Sequence, residues 1–242
     1  AKNGATAIKG NSKQKQIVFN DLDYRKINNN NIEIYPSSIY SNKIVEIMKE
    51  GSNTAFNYNP LITQTSIGYM DSIQNVLIAN TENLFVTDER TRCRLSVNAV
   101  ASNENEKQTG YFGPGAMKGI EFLDTINIKN IATEAARSAV TMLNAKDCPS
   151  GKMPVIMDNG FGGVIFHEAC GHGLEAAAIA KKASVFTDKI GEKIASDKVT
   201  AIDDGTISNS WGSINVDDEG IPAQKNILIE NGVLKNYMVD RF

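Results

Sequence analysis

GGVIFHEACGHGLEA, residues 162–176, holds His167 and His172, the only two histidines in a chain of 242 residues. Glu168 follows the first of them directly. Two imidazoles and an adjacent carboxylate are the minimum set for metal-assisted hydrolysis. Zinc takes nitrogen and sulfur donors, and a catalytic site keeps one position for a water whose pKa falls towards ~7. A carboxylate beside that water accepts its proton and later delivers it to the leaving amine. The pattern points to His167 and His172 as metal ligands, Glu168 as the catalytic base, and zinc as the metal.

The spacing is the difficulty. The familiar zinc helix reads HExxH, and its two histidines differ by about 40° around an α-helix. Positions five apart project about 140° apart and cannot share one ion. HEACGH therefore needs a local distortion, and Gly171 and Gly173 tolerate one. Either a π-bulge adds a residue to the turn, or the helix ends near Gly171 and His172 turns back. The bulge is favoured.

Blander readings compete at each residue. A histidine on an apolar face is more often a satisfied core residue than a ligand. Here the only pair falls together, with a glutamate between and glycines around it. Cys170 lies too close in sequence to both histidines to join a three-ligand cluster, and reads as a small buried thiol. Asp203-Asp204 and Asp217-Asp218-Glu219 lack the alternating spacing of a calcium loop and read as turn residues. Glu175 is placed on the helix surface or in an outer contact to the site, and Lys181 and Lys182 on a solvated face.

Outward from the motif, the chain reads as α+β, with antiparallel sheets and a few packed helices. Residues 1–37 are rich in Asn, Lys and Ser and form a lead-in with little packing of its own. Residues 38–150 form a β-rich domain with two helices. One helix spans about 38–50, with a serine available as cap. QNVLIAN, LFVTDE and RCRLSVNAVAS alternate in part and read as a meander of several strands. GYFGPGAMKG is a loop. NIATEAARSAVTMLNAKD is a helix, with Ile131, Ala135, Ala139, Met142 and Leu143 on one face.

CPSGKMP breaks the chain, and residues 151–242 begin a second domain. PVIMDNG is a short buried strand there, the motif segment is helical, and AIDDGTIS, SINVDDEGIP and NILIENGVLKNYMV are strands. Asp204-Gly205 and Asn231-Gly232 signal hairpins.

Composition narrows the classes. With 41% hydrophobic and 22% charged residues, the chain resembles a soluble globular protein. A net charge of -3 gives no reason to expect nucleic acid, and no apolar run nears the ~20 residues that span a bilayer. Cys93, Cys148 and Cys170 are widely spaced and odd in number, so a disulfide framework is not expected and a reducing cytoplasm is. Both chain ends read as cuts.

GGVIFHEACGHGLEA, followed in order by ASVF, GEKIAS, IDDGT, GSINVDDEG and LIENGVLKNYM, resembles the TldD/PmbA family on the TldD side. The likeness is dense over about 153–240 and diffuse over 38–150. It implies a cytoplasmic zinc metallopeptidase that cleaves unfolded or short peptides, as a homodimer or as a heterodimer with a PmbA-type (TldE) subunit. The PmbA branch lacks the motif. The family's third ligand is a downstream cysteine that none of Cys93, Cys148 or Cys170 matches. The fragment is therefore expected to be inactive or nearly so, with zinc weak or absent. LEAAAIAKKASVF replaces a more polar, arginine-containing segment, which affects expected substrate contacts rather than metal chemistry. Two other functions fit the residues: a non-catalytic peptide-binding or regulatory module, and a metal hydrolase of a non-peptide amide or ester.

Overall fold

The computed structural model describes residues 30–36, 41–81 and 84–240. Most of the expected lead-in and the serine cap of the first helix fall outside the described residues and side chains. The described end of the lead-in does pack, contrary to expectation. Ile34 lies against the main core. Its N–H donates to Glu121 Oε2 at 3.0 Å, and its carbonyl accepts from the Ile120 N–H at 2.8 Å. The buried Glu121 carboxylate also accepts the Gly119 N–H at 2.8 Å, so its charge is met by backbone donors.

Helix α1 spans Ser41–Phe56, running past the expected end at residue 50. Gly51 costs an isolated helix about 1 kcal/mol, but here a Cβ would sit 2.7 Å from the Ile128 side chain. The glycine lets α1 lie close against the segment that begins at Ile128. Two strands follow, β1 (Ile62–Ala79) and β2 (Phe85–Ser102). They pair antiparallel from Ile62↔Ala101 to Ala79↔Phe85. The short strands β3 (Lys107–Phe112) and β4 (Gly115–Ala116) both pair with β2. The expected meander of several short strands is thus one long hairpin with two short additions. LFVTDE and RCRLSVNAVAS belong to a single strand, because the polar residues between them, Arg90 and Thr91, are themselves buried.

Strand β2 changes its buried face partway along. Cys93, Leu95, Val97, Ala99 and Ala101 are fully buried and face the helices, at the period of two that a strand imposes. Nearer the hairpin tip the buried positions are Val86, Asp88 and Arg90, of the opposite parity. The switch falls between Arg90 and Thr91, both buried. One face of the hairpin therefore carries the main core, and at the other end the opposite face carries residues from the second half of the chain. There Val216 joins Leu84 and Val86. Arg90 donates to the Val216 carbonyl at 2.9 Å and pairs with Asp88 at 3.1 Å. Trp211 lies under Arg92 and Arg94, at 5.8 and 5.3 Å.

Helix α2 (Ile128–Leu143) covers the other face, capped by the Asn127 side chain accepting from the Asn130 N–H. Ala132, Ala135, Ala136 and Ala139 are fully buried. They bring the helix so close that a Cβ on Gly110 of β3 would overlap the Ala135 carbonyl. Met142, expected on this face, lies at its rim and is 49% exposed. The helix ends at Leu143, where the Asn144 side chain donates to the Val140 carbonyl at 2.9 Å.

PVIMDNG does not form a buried strand. Ile156 is 100% exposed, with Val155 and Met157 also exposed. A strand needs a partner for its backbone groups, and no described segment lies beside this one in a sheet. The second sheet holds β5 (Ala201–Asp204), β6 (Lys225–Glu230) and β7 (Val233–Leu234). Asn231 and Gly232 both have positive φ, 49° and 82°, as the expected tight hairpin requires. Asp204-Gly205 makes no hairpin, because β5 pairs with the distant β6. Asp204 instead accepts the amide and hydroxyl of Thr206 at 2.9 and 2.6 Å. Asp217 likewise accepts the N–H groups of Glu219 and Ile221. The segment SINVDDEGIP contributes one bridge, Val216↔Pro222, instead of a full strand.

Candidate metal centre

The motif lies in a helical run that changes its winding four times. A 3-10 turn at Gly160–Gly163 leads into one α-helical turn, α3 (Val164–Phe166). A π-helix follows over His167–Gly171, then a 3-10 turn over His172–Leu174. Glu175 is extended, with φ -67° and ψ 130°, and α4 (Ala176–Ala180) begins after it.

The π turn resolves the spacing problem. The His172 N–H donates to the His167 carbonyl, the five-residue bond that defines this winding. The added residue brings the rings onto one face, with centroids 4.4 Å apart and planes at 69°. Ligand atoms of His167, Glu168 and His172 lie within 4.8 Å of one another, and all three residues are exposed. Glu168 Oε2 stands 3.9 Å from His172 Nε2. Among the described residues this is the one cluster of potential metal ligands with three or more members. Two imidazoles and one carboxylate suit a transition metal better than calcium, which takes a shell of six or more oxygens.

Two glycines make room. A Cβ on Gly171 would lie 3.2 Å from His167 Nδ1, and one on Gly173 would lie 2.9 Å from the Phe186 ring. The run is held from below by Leu174, which is fully buried among Ala201, Leu228, Ile229 and Leu234. Cys170 is half-buried against this second core and stands outside the ligand cluster. Lys181 and Lys182 are exposed, as expected. Cys93 is buried, and burial pushes its thiol up.

Glu175 touches the site directly. Its Oε1 is 2.8 Å from His172 Nδ1. The three-residue spacing from His172 was the available signal for this contact, but the extended backbone at Glu175 was not legible.

Known proteins bear on the same regions. Residues 34–143 match the family model of the PmbA/TldA metallopeptidase central domain, and residues 150–242 that of its C-terminal domain. The chain is 34% identical over 243 residues to a metalloprotease TldD homolog of Buchnera aphidicola, covering 96% of this chain and 49% of that protein. It is 40% identical over 180 residues to a Methanocaldococcus jannaschii metalloprotease, covering 74% of this chain and 40% of that protein. The chain thus spans about half the length of the curated relatives it matches. Its fold is similar to TldE from Thermococcus kodakarensis, with a TM-score of 0.67 and 21% identity over 86% of this chain and 47% of that one. With both domain models matched in order and these relatives along most of its length, the chain belongs to the TldD/PmbA metallopeptidase family.

Proposed function

We propose that the chain carries the zinc-binding and proton-transfer half of a metallopeptidase centre that cleaves unfolded or short peptides. The observation that carries this reading is the π turn, which gathers His167, Glu168 and His172 on one exposed face. His167 and His172 hold the ion. Bound there, zinc would polarise the scissile carbonyl and acidify a water. Glu168 takes the proton from the attacking water and passes it to the leaving amine. Peptides are preferred over other amides because relatives covering most of this chain are named metalloproteases.

The reading spends one member of the cluster as base, which leaves two nitrogen ligands where a catalytic zinc site uses three protein ligands. A further donor has to complete the site, so this chain by itself is expected to hold zinc weakly and cleave slowly. The division into a β-rich domain over 38–150 and a metal-bearing domain over 151–242, work in the cytoplasm, and assembly as a homodimer or with a PmbA-type subunit are parts of the same proposal.

The test is Glu168→Ala in the longest form of the protein that cleaves peptides, with zinc measured by elemental analysis. Cleavage is expected to fall by about 10²–10⁴-fold with zinc content unchanged. Undiminished cleavage would remove Glu168 from the mechanism.

A second reading has one observation behind it. Strand β1 lies at the edge of its sheet, where an extended peptide could pair by main-chain bonds with little sequence preference. A non-catalytic binding module of this kind predicts peptide binding that survives chelation and substitution of His167.

A further inference from the structure

We propose that Glu175 is a positioning residue for the metal centre. Its carboxylate fixes the ring of His172 so that Nε2, and not Nδ1, is offered to the ion. The inference rests on the reading of His172 as a ligand.

The geometry carries the argument. An ionised carboxylate only accepts hydrogen bonds. The 2.8 Å contact between Glu175 Oε1 and His172 Nδ1 therefore places the ring proton on Nδ1. The free lone pair is then on Nε2, the atom that stands 3.9 Å from Glu168 Oε2. Glu175 and Glu168 thus address opposite nitrogens of one imidazole. The first orients the ring, and the second lies on the side where chemistry would occur. Carboxylate–histidine pairs behind a metal generally fix tautomer and ring direction in this way.

The backbone of Glu175 is itself held in place. Its neighbours are clamped by residue 238: the Met238 N–H donates to the Leu174 carbonyl at 2.8 Å, and the Ala176 N–H donates to the Met238 carbonyl at 2.7 Å. These bonds form a parallel bridge, Glu175↔Met238. On the other side the Ser184 hydroxyl donates to the Gly173 carbonyl at 2.5 Å. The extended conformation at Glu175 breaks the helical run and turns its side chain back to His172. The side chain makes no capping bond to α4 and is 50% exposed, so replacing it leaves the clamp in place.

The test is made in the longest form of the protein that cleaves peptides, unsubstituted and as Glu175→Ala and Glu175→Gln. Imidazole ¹H–¹⁵N correlation spectra of the metal-free proteins read the His172 tautomer, and titration with zinc chloride reads affinity. The unsubstituted chain is expected to carry the His172 proton on Nδ1. Glu175→Ala should lose that preference and bind zinc about 10–100-fold more weakly. Glu175→Gln, which keeps an acceptor oxygen, should recover much of both. An Nε2-protonated His172 in the unsubstituted chain overturns the proposal. So does zinc affinity in Glu175→Ala within twofold of the unsubstituted chain, and that result leaves the metal reading intact. No zinc uptake by this longest form overturns both, with the tautomer spectra still deciding whether the Glu175 contact exists.

Discussion

The two halves of the molecule are stabilised differently. Before residue 145, a long hairpin and two helices enclose a continuous core built on fully buried Leu95, Val97 and four alanines of α2. After it, a three-stranded sheet encloses a smaller core of Leu174, Ala201, Leu228, Ile229 and Leu234, while Ile156, Phe161 and Ile165 stand exposed in the run of sequence before the motif. The first half is organised by close packing. The second is organised by backbone turns and side-chain bonds that place a few chemical groups. The proposed chemistry belongs to the thinner half, where glycines, π winding and exposed imidazoles cost the main core nothing.

Four substitutions or conditions probe that contrast. Gly110→Val should be the most damaging, because the new side chain meets the α2 backbone at Ala135 and Ala139, which cannot move aside. Overpacking against backbone is expected to cost above about 4 kcal/mol, seen as loss of cooperative unfolding in the first half. Asp88→Ala should come next. It leaves the buried Arg90 guanidinium with Val216 and the exposed Asp218, and removes the acceptor of the Asn215 side chain. Breaking such a buried pair costs about 3 kcal/mol, and hydrogen exchange should quicken over residues 213–222 before it does in α2.

Gly171→Ala should separate chemistry from stability. Its backbone φ of -54° accepts alanine, so stability should change by less than about 1 kcal/mol. The added carbon presses on His167 Nδ1, so zinc binding should weaken all the same. Parallel loss of fold and zinc would contradict the division drawn here. The smallest effect is with pH. Burial raises the Cys93 thiol above its ordinary 9.0, and burial together with the Cys93 contact raises the Tyr69 hydroxyl. Both groups hold their protons more tightly folded than unfolded. Their contribution is full below the ordinary values and is lost as pH rises through the raised ones. Denaturation midpoints should therefore decline above pH 9.0, and Cys93→Ala should flatten the decline.

How much of this was legible in the sequence depends on how local the cause was. The π turn follows from the five-residue spacing and two glycines, because winding is decided within one turn of chain. Asn231-Gly232 makes its hairpin for the same reason. Asp204-Gly205 carries the same signal and fails, because β6 claims β5 from twenty residues away, and no dipeptide records that. In sequence the hairpin looks like several strands because its burial changes parity at Arg90 and Thr91. A strand with one inner face alternates along its whole length, whereas one with two inner faces on opposite sides looks interrupted. PVIMDNG has the composition of a buried strand but no described neighbour to pair with, and composition alone does not supply one.

The parity change in β2 also sets which lengths of chain can vary. Side chains alternate with a period of two, so adding or removing one residue turns every later side chain to the other surface. A single-residue insertion near Thr91 would leave one core seated and expel the other, since the two read opposite surfaces of one strand. The same insertion beyond Asn80, at the tip, alters neither. Lineages carrying this fold should therefore vary in length at the hairpin tip and hold the middle of the strand to a fixed count.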